Sequence, residues 1–201
     1  MKLIILRHEE RPPCSLFFTP LTENGIKNAI KLKDKLPENI DLIFSSSFLR
    51  VLQTIYPYCK KYKKKANLEN AFYEYCQEPD FYRDNYRHWC SEYKKLKHFH
   101  YLTDIINYKY KSNIFVSNIN FPEKERDIKN RVFPFIYNLC KEYKNTNKTI
   151  LIATHMTICN FIKKVFNKNI KIDDTFPMGS FIEINIDENW KGMDEFMTHN
   201  E

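Results

Sequence analysis

Apolar positions along this 201-residue chain follow two rhythms. Unbroken short runs, Leu3-Ile4-Ile5-Leu6, Leu42-Ile43-Phe44 and Ile150-Leu151-Ile152-Ala153, read as strands buried on both faces, as the centre of a parallel sheet requires. Between them, apolar residues recur at helical spacing. Thr22 is placed to cap a helix carrying Ile26, Ala29, Ile30 and Leu36 that ends before Pro37. Ser47 is the expected N-cap of the next helix, which carries Arg50 and which Pro57 should kink or shorten. From about Tyr75 to Asn120 the periodicity fades, and the segment reads as a partly helical insertion over the sheet edge. Helical spacing returns from Glu125 to Tyr143, with Pro134 a local irregularity, and Phe181 to Ile186 closes the sheet ahead of a frayed tail. Strands alternating with helices predict an α/β fold: three layers, α/β/α, around a mostly parallel central sheet. One domain spans residues 1–201, with the insertion at about 75–120 as a cap or lid.

Composition narrows the class. Hydrophobic content of 43% with 28% charged residues is that of a globular chain. The run Leu3 to Leu6 is too short for a signal segment or a membrane span, so a cytoplasmic protein with no membrane partner is expected. Six cysteines (Cys14, Cys59, Cys76, Cys90, Cys140 and Cys159) show no CxxC spacing, which favours free thiols over disulfides or zinc. No acidic cluster has metal-ligand spacing, and no metal or other cofactor is implied.

Charge points to anions. Thirty-two basic against 25 acidic residues leave a net charge of +7. The lysine run at Lys60, Lys61, Lys63, Lys64 and Lys65 reads as a solvated helix end. Tyrosines interleaved with lysine, arginine and histidine between Tyr73 and Tyr110 could stack on single-stranded nucleic acid. No binding motif accompanies them, so nucleic acid is not favoured as a partner.

The candidate chemistry lies at strand ends. His8 and His155 each close an apolar run, Arg7 precedes His8, and Arg50 follows the second strand. Strand carboxyl ends are where an α/β sheet assembles a site. Two imidazoles and two guanidiniums suit a phosphoryl group, whose transfer needs preplaced donors around the non-bridging oxygens. A neutral imidazole can attack phosphorus, nearby guanidiniums keep it neutral, and an acid must then protonate the leaving oxygen.

These residues sit in five ordered blocks that resemble the histidine phosphatase superfamily, which also holds the cofactor-dependent phosphoglycerate mutases. Arg7-His8-Glu9-Glu10-Arg11 resembles its Arg-His-Gly signature, and Pro20-Leu21-Thr22-Glu23-Asn24-Gly25 its Leu-Thr-x-x-Gly. Ser45-Ser46-Ser47-Phe48-Leu49-Arg50-Val51-Leu52-Gln53-Thr54 is similar to its Ser-Ser-x-x-x-Arg-x-x-Gln-Thr block. Leu68 to Glu74 resembles the segment that delivers the acid, and Ala153-Thr154-His155 the second-histidine strand. The resemblance implies a phosphoglycerate mutase-like fold. It also implies His8 as the phosphorylated nucleophile, Arg7, Arg50 and His155 as the phosphate pocket, and Glu74 as the acid. Glu69, in the same block, is the rival acid.

Arg11 and the two Pro residues after it also match the Arg-His-Gly-x-Arg-x-Pro form of the acid phosphatase branch, which implies Arg11 as an extra phosphate contact. That branch follows its second histidine with aspartate, where this chain has Met156. Glu9 and Met156 stand where the family usually has glycine. The expected activity is phosphomonoester hydrolysis through phospho-His8, on a phosphorylated small molecule or phosphopeptide. Phosphoglycerate mutase-type transfer and a weakly active or inactive phospho-ligand binding module are the alternatives. His88, His98, His100 and His199 read as surface residues and Cys14 as packing, and oligomeric state is left open.

Overall fold

The computed structural model describes residues 1–13, 16–76, 97–115, 119–187 and 193. Five strands form one sheet: β1 (Lys2–Arg7), β2 (Leu42–Ser45), β3 (Ala66–Leu68), β4 (Thr149–Thr154) and β5 (Phe181–Asn185). Their order is β3-β2-β4-β1-β5, parallel except for β5, which runs antiparallel beside β1. The helices are α1 (Glu23–Leu32), α2 (Leu49–Lys61), α3 (Glu125–Tyr143) and α4 (Met156–Phe166).

The alternation of each strand divides the core in two. Leu3, Ile5, Phe44, Ile150 and Ile152 meet α3 and α4 through Ile128, Val132, Ile136, Ile158 and Ile162. Ile4, Leu6, Ile43, Leu151 and Ala153 meet Leu32 of α1 and Leu49, Leu52, Ile55 and Tyr58 of α2. With both sheet faces covered, the central strands have no polar face, which is why they read as continuous apolar runs. The described part of the insertion joins the second layer. Leu102 and Ile105 are buried there, and Asn107 N–H donates to the Ala66 carbonyl at 2.9 Å. Half of the proposed lid, including His88, Cys90, Lys94 and Lys95, lies outside the described residues, as do Cys14 and His199. His98 and His100 are exposed, and Cys59, Cys76, Cys140 and Cys159 are free thiols.

Several local expectations are corrected. The three-residue strand β3 is absent from the sequence reading, and α1 ends at Leu32 rather than running through Leu36. The N-cap of α2 is Phe48, not Ser47, and it makes no side-chain cap hydrogen bond. The helix also continues through Pro57 to Lys61. Its buried face, from Leu49 to Cys59, packs on the sheet and outweighs the one lost backbone hydrogen bond. Helix α3 likewise runs through Pro134. The lysine run does begin at the exposed end of α2, where Lys60 pairs with Asp104 at 3.2 Å and Lys61 with Asp34 at 2.8 Å on the surface.

Two of the three glycines serve the loop after β1. A Cβ on Gly25 would lie 2.2 Å from the Glu10 carbonyl oxygen, so the start of α1 approaches that loop as only glycine allows. Thr22 N–H donates to the same carbonyl at 3.0 Å, and the Thr22 hydroxyl donates to the Glu10 carboxylate at 2.7 Å. Gly179, at φ +68°, faces the Glu9 carboxylate, which a Cβ there would meet at 2.0 Å.

Candidate active site

Parallel pairing of β1 with β4 puts Arg7 opposite Thr154, so the next residues, His8 and His155, leave the same edge side by side. The ladder extends one step further through His8 N–H to the Thr154 carbonyl at 3.0 Å, and on the other side Ser46 N–H reaches the Ala153 carbonyl at 3.0 Å. The two imidazoles stand edge to face, with centroids 5.3 Å apart.

His8 is buried, and its Nδ1 lies 2.7 Å from the Glu9 carbonyl oxygen. A carbonyl can only accept, so Nδ1 carries the proton and Nε2 keeps its lone pair. Arg50 Nε donates to that Nε2 at 3.3 Å. Burial first, then the charges of His155 and Arg50, push His8 well below the usual histidine range, and the ring is neutral at pH 7. The turn that supplies the Glu9 carbonyl is tied to α2: Glu9 N–H donates to Thr54 Oγ1 at 2.9 Å, and the Thr54 hydroxyl donates to the Arg50 carbonyl at 2.8 Å.

Arg50 is fully buried above the Phe48 ring, with its guanidinium carbon 4.6 Å from the centroid. One Nη donates to the Leu16 carbonyl at 2.9 Å and the other to Glu74 Oε2 at 3.1 Å, while remaining 3.3 Å from His155 Nδ1. Glu74 Oε2 also lies 3.2 Å from His155 Nδ1, and Ser46 Oγ lies 3.0 Å from His155 Nε2. With Nδ1–H donating to Glu74, the Ser46 hydroxyl donates to Nε2, and a neutral His155 has both nitrogens satisfied. Burial lowers His155 to about 4, with Glu74 opposing and Arg50 adding to the fall. Burial alone would raise the Glu74 carboxyl, but His155, Arg50 and His8 outweigh it and hold Glu74 well below the carboxylate range.

Arg7 donates through Nη1 to the Phe176 carbonyl. Its Nε is buried and has no hydrogen-bond partner among the described residues, so a donor is left for an incoming acceptor. Arg11 donates to the Pro12 carbonyl at 2.8 Å, and its charge reaches Arg7, Arg50 and His155, lowering all three. Glu69 lies elsewhere. It is 1% exposed and accepts from Ala71 N–H at 2.9 Å, from the Ser112 hydroxyl at 2.6 Å and from the Tyr110 hydroxyl. Of the two rival carboxylates, only Glu74 stands beside the imidazoles.

The glycine replacements are accommodated without disturbing the cluster. The Glu9 side chain turns to Gly179 and bonds Asn28, where burial raises its carboxyl. Met156 begins α4 and packs partly into the core. Ser46 and Thr54 are site residues that sequence reading did not single out. Both lie in the serine-to-threonine block that carries Arg50.

His8, Glu74 and His155 bring donor atoms within 4.8 Å of one another, close enough for a metal ion. Arg50, however, reaches all three with a fixed positive charge. The set therefore suits an anion that replaces Glu74 on the guanidinium.

A mostly parallel sheet with paired histidines and arginines at its carboxyl edge defines an anion site on a phosphoglycerate mutase-like α/β fold. The chain belongs to the histidine phosphatase superfamily (branch 1), whose family model matches residues 18–189. That match begins after His8, which the pairing of β1 with β4 nevertheless brings to His155. Solved structures share the fold at low identity. The alpha-ribazole phosphatase of Shigella flexneri is 20% identical with a TM-score of 0.60, over 92% of this chain and 90% of that one. A phosphoserine phosphatase of Entamoeba histolytica, in complex with phosphoserine, is 18% identical with a TM-score of 0.58, over 90% and 89%. A mycobacterial glucosyl-3-phosphoglycerate phosphatase is 14% identical with a TM-score of 0.57, over 90% and 88%. No curated protein matches the chain significantly. Among the described residues, no helix is long and apolar enough to cross a membrane.

Proposed function

We propose that the protein hydrolyses phosphomonoesters of small molecules through a phosphohistidine on His8. The observation that carries this reading is the state of His8: Nδ1–H is held by the Glu9 carbonyl, so an unprotonated Nε2 faces Arg50, Glu74 and His155. In the first step Nε2 attacks phosphorus, the bond to the ester oxygen breaks, and Glu74 gives that oxygen its proton. Arg7, Arg50, Arg11 and His155 hold the non-bridging oxygens as charge builds on them. In the second step Glu74 takes a proton from water, the water oxygen bonds phosphorus, and His8 leaves neutral.

The low pKa of Glu74 fits this cycle. Without substrate, the carboxylate is the counter-ion of Arg50. A phosphate bound there takes over that role and cancels the charge that held the proton off, so Glu74 becomes protonated where an acid is needed. A phosphate monoanion carries the required proton, since its second pKa is about 6. Hydrolysis rather than a mutase reaction is supported by the phosphatases among the solved structures. The direction of Glu9, away from the guanidiniums, argues against a spoiled site. We read residues from about 75 to 120 as the cap of a single domain.

Incubation with 32P-labelled substrate followed by a rapid quench should trap acid-labile, base-stable phosphate on His8. His8→Ala should lose both the label and the turnover of p-nitrophenyl phosphate. Turnover retained by the folded variant would sink the assignment.

A further inference from the structure

We propose that Arg131 and Glu123 form a buried clamp that positions Glu74, making them positioning residues for the proton transfer. This rests on reading Glu74 as the acid. Residues 73–76 belong to no helix or strand. Their backbone groups therefore need partners from elsewhere, because a buried and unpaired carbonyl or N–H is costly.

Two residues supply most of those partners. Arg131 donates to two carbonyls in this stretch, Tyr73 at 3.2 Å and Glu74 at 3.2 Å, and to that of Ala71 just before it. Glu123 closes the far end, its carboxylate accepting from Cys76 N–H at 3.1 Å and its own N–H donating to the Cys76 carbonyl at 2.8 Å. The two side chains join in a fork, Nε to Oε1 at 2.7 Å and Nη2 to Oε2 at 3.0 Å. Arg131 is 6% exposed and Glu123 4%. The clamp thus grips the backbone on both sides of Glu74 and at Glu74 itself.

Helix α3 gives the clamp its rigidity. Arg131 sits within the apolar stripe that packs on the sheet, among Ile128, Val132 and Ile136. That stripe is an expensive place for a charge unless every donor is used. All three guanidinium nitrogens here have acceptors, and the forked pair is neutral as a whole. It can therefore act on Glu74 through placement rather than through a field. Lysine would keep the charge but lose the planar fork, and could not reach the three carbonyls and the carboxylate together.

Leaving-group dependence separates positioning from mere scaffolding. An alkyl phosphate needs its leaving oxygen protonated, whereas dinitrophenolate departs without help. Arg131→Lys and Glu123→Gln should lower kcat/KM for an alkyl phosphate such as phosphoserine by roughly 30- to 100-fold, the scale of a misplaced general acid. On 2,4-dinitrophenyl phosphate both should stay within about threefold of the unaltered protein, as general acid catalysis is not called on there. That second activity also counts the correctly folded molecules in each preparation. Inhibition by inorganic phosphate should not change. Equal losses on both substrates would overturn the inference while leaving the phosphatase reading in place. An unaltered protein that hydrolyses neither substrate and takes no label on His8 would overturn the phosphatase reading, and the inference with it.

Discussion

Arg50 and Arg131 each bury a guanidinium against a glutamate, yet their remaining donors go to different kinds of partner. Arg131 meets Glu123 through two parallel hydrogen bonds and spends its other donors on main-chain carbonyls. Those partners belong to the chain itself and cannot be exchanged for a ligand. Among the described residues, Arg50 meets Glu74 through a 3.1 Å contact and also reaches two imidazoles and the Leu16 carbonyl. Three of those partners are titratable side chains, and in the proposed cycle an incoming phosphate replaces the carboxylate. The same ion pair is therefore fixed in one place and exchangeable in the other, depending on what surrounds it.

The sharpest way to break this comparison is to weaken each arginine and ask what is lost. Arg50→Lys should lower kcat/KM by about 10³-fold, the scale of losing oriented donors at a developing charge. Arg131→Met leaves Glu123 buried without its cation, and should lower the unfolding free energy by about 3–5 kcal/mol in urea titrations. If Arg50→Lys proved the more destabilising of the two, the division between exchangeable and fixed pairs would fail.

A smaller effect comes from pH. His155 is about 4 in the folded protein and close to 6.5 unfolded, so between those values the unfolded chain binds the extra proton. Stability is then complete above about pH 6.5 and falls as pH drops towards 4, by about 3 kcal/mol for this group alone. His8 acts in the same direction, and Glu74 extends the loss to lower pH. Urea midpoints measured from pH 7 to 4.5 should show this slope, and His155→Gln should flatten it. An unchanged slope would mean that His155 is not held neutral.

The smallest effect expected is at Glu9. Its carboxylate faces Gly179 and Asn28, so Glu9→Gln should leave kcat/KM within about threefold, as for a side chain outside the reacting groups. A rise of tenfold or more would show that the charge does reach the phosphate pocket.

Much of this architecture is legible along the chain. The strands β1, β2 and β4 announce themselves because burial on both faces leaves no polar position. His8, His155 and Arg50 stand out because each follows such a strand. Shorter or edge-placed features do not: β3 has three residues, and its pairing with β2 decides its conformation. Pro57 suggested a break that tertiary packing overrides. Arg131 did leave a trace, as a charge inside the apolar stripe Ile128, Val132, Ile136, but nothing local says which carbonyls it will meet.

The sequence alone determined the layers, the family and the delivery of two imidazoles to one sheet edge, because periodic burial and strand ends are local properties. Only the tertiary structure put Glu74 rather than Glu69 beside the imidazoles, gave Ser46 to His155, turned Glu9 to Gly179 and set Arg131 and Glu123 across the backbone around Glu74. Those choices depend on contacts between residues far apart in the chain, 109 positions for Ser46 and His155 and more for Glu9 and Gly179, whose partners are set only once the sheet has closed.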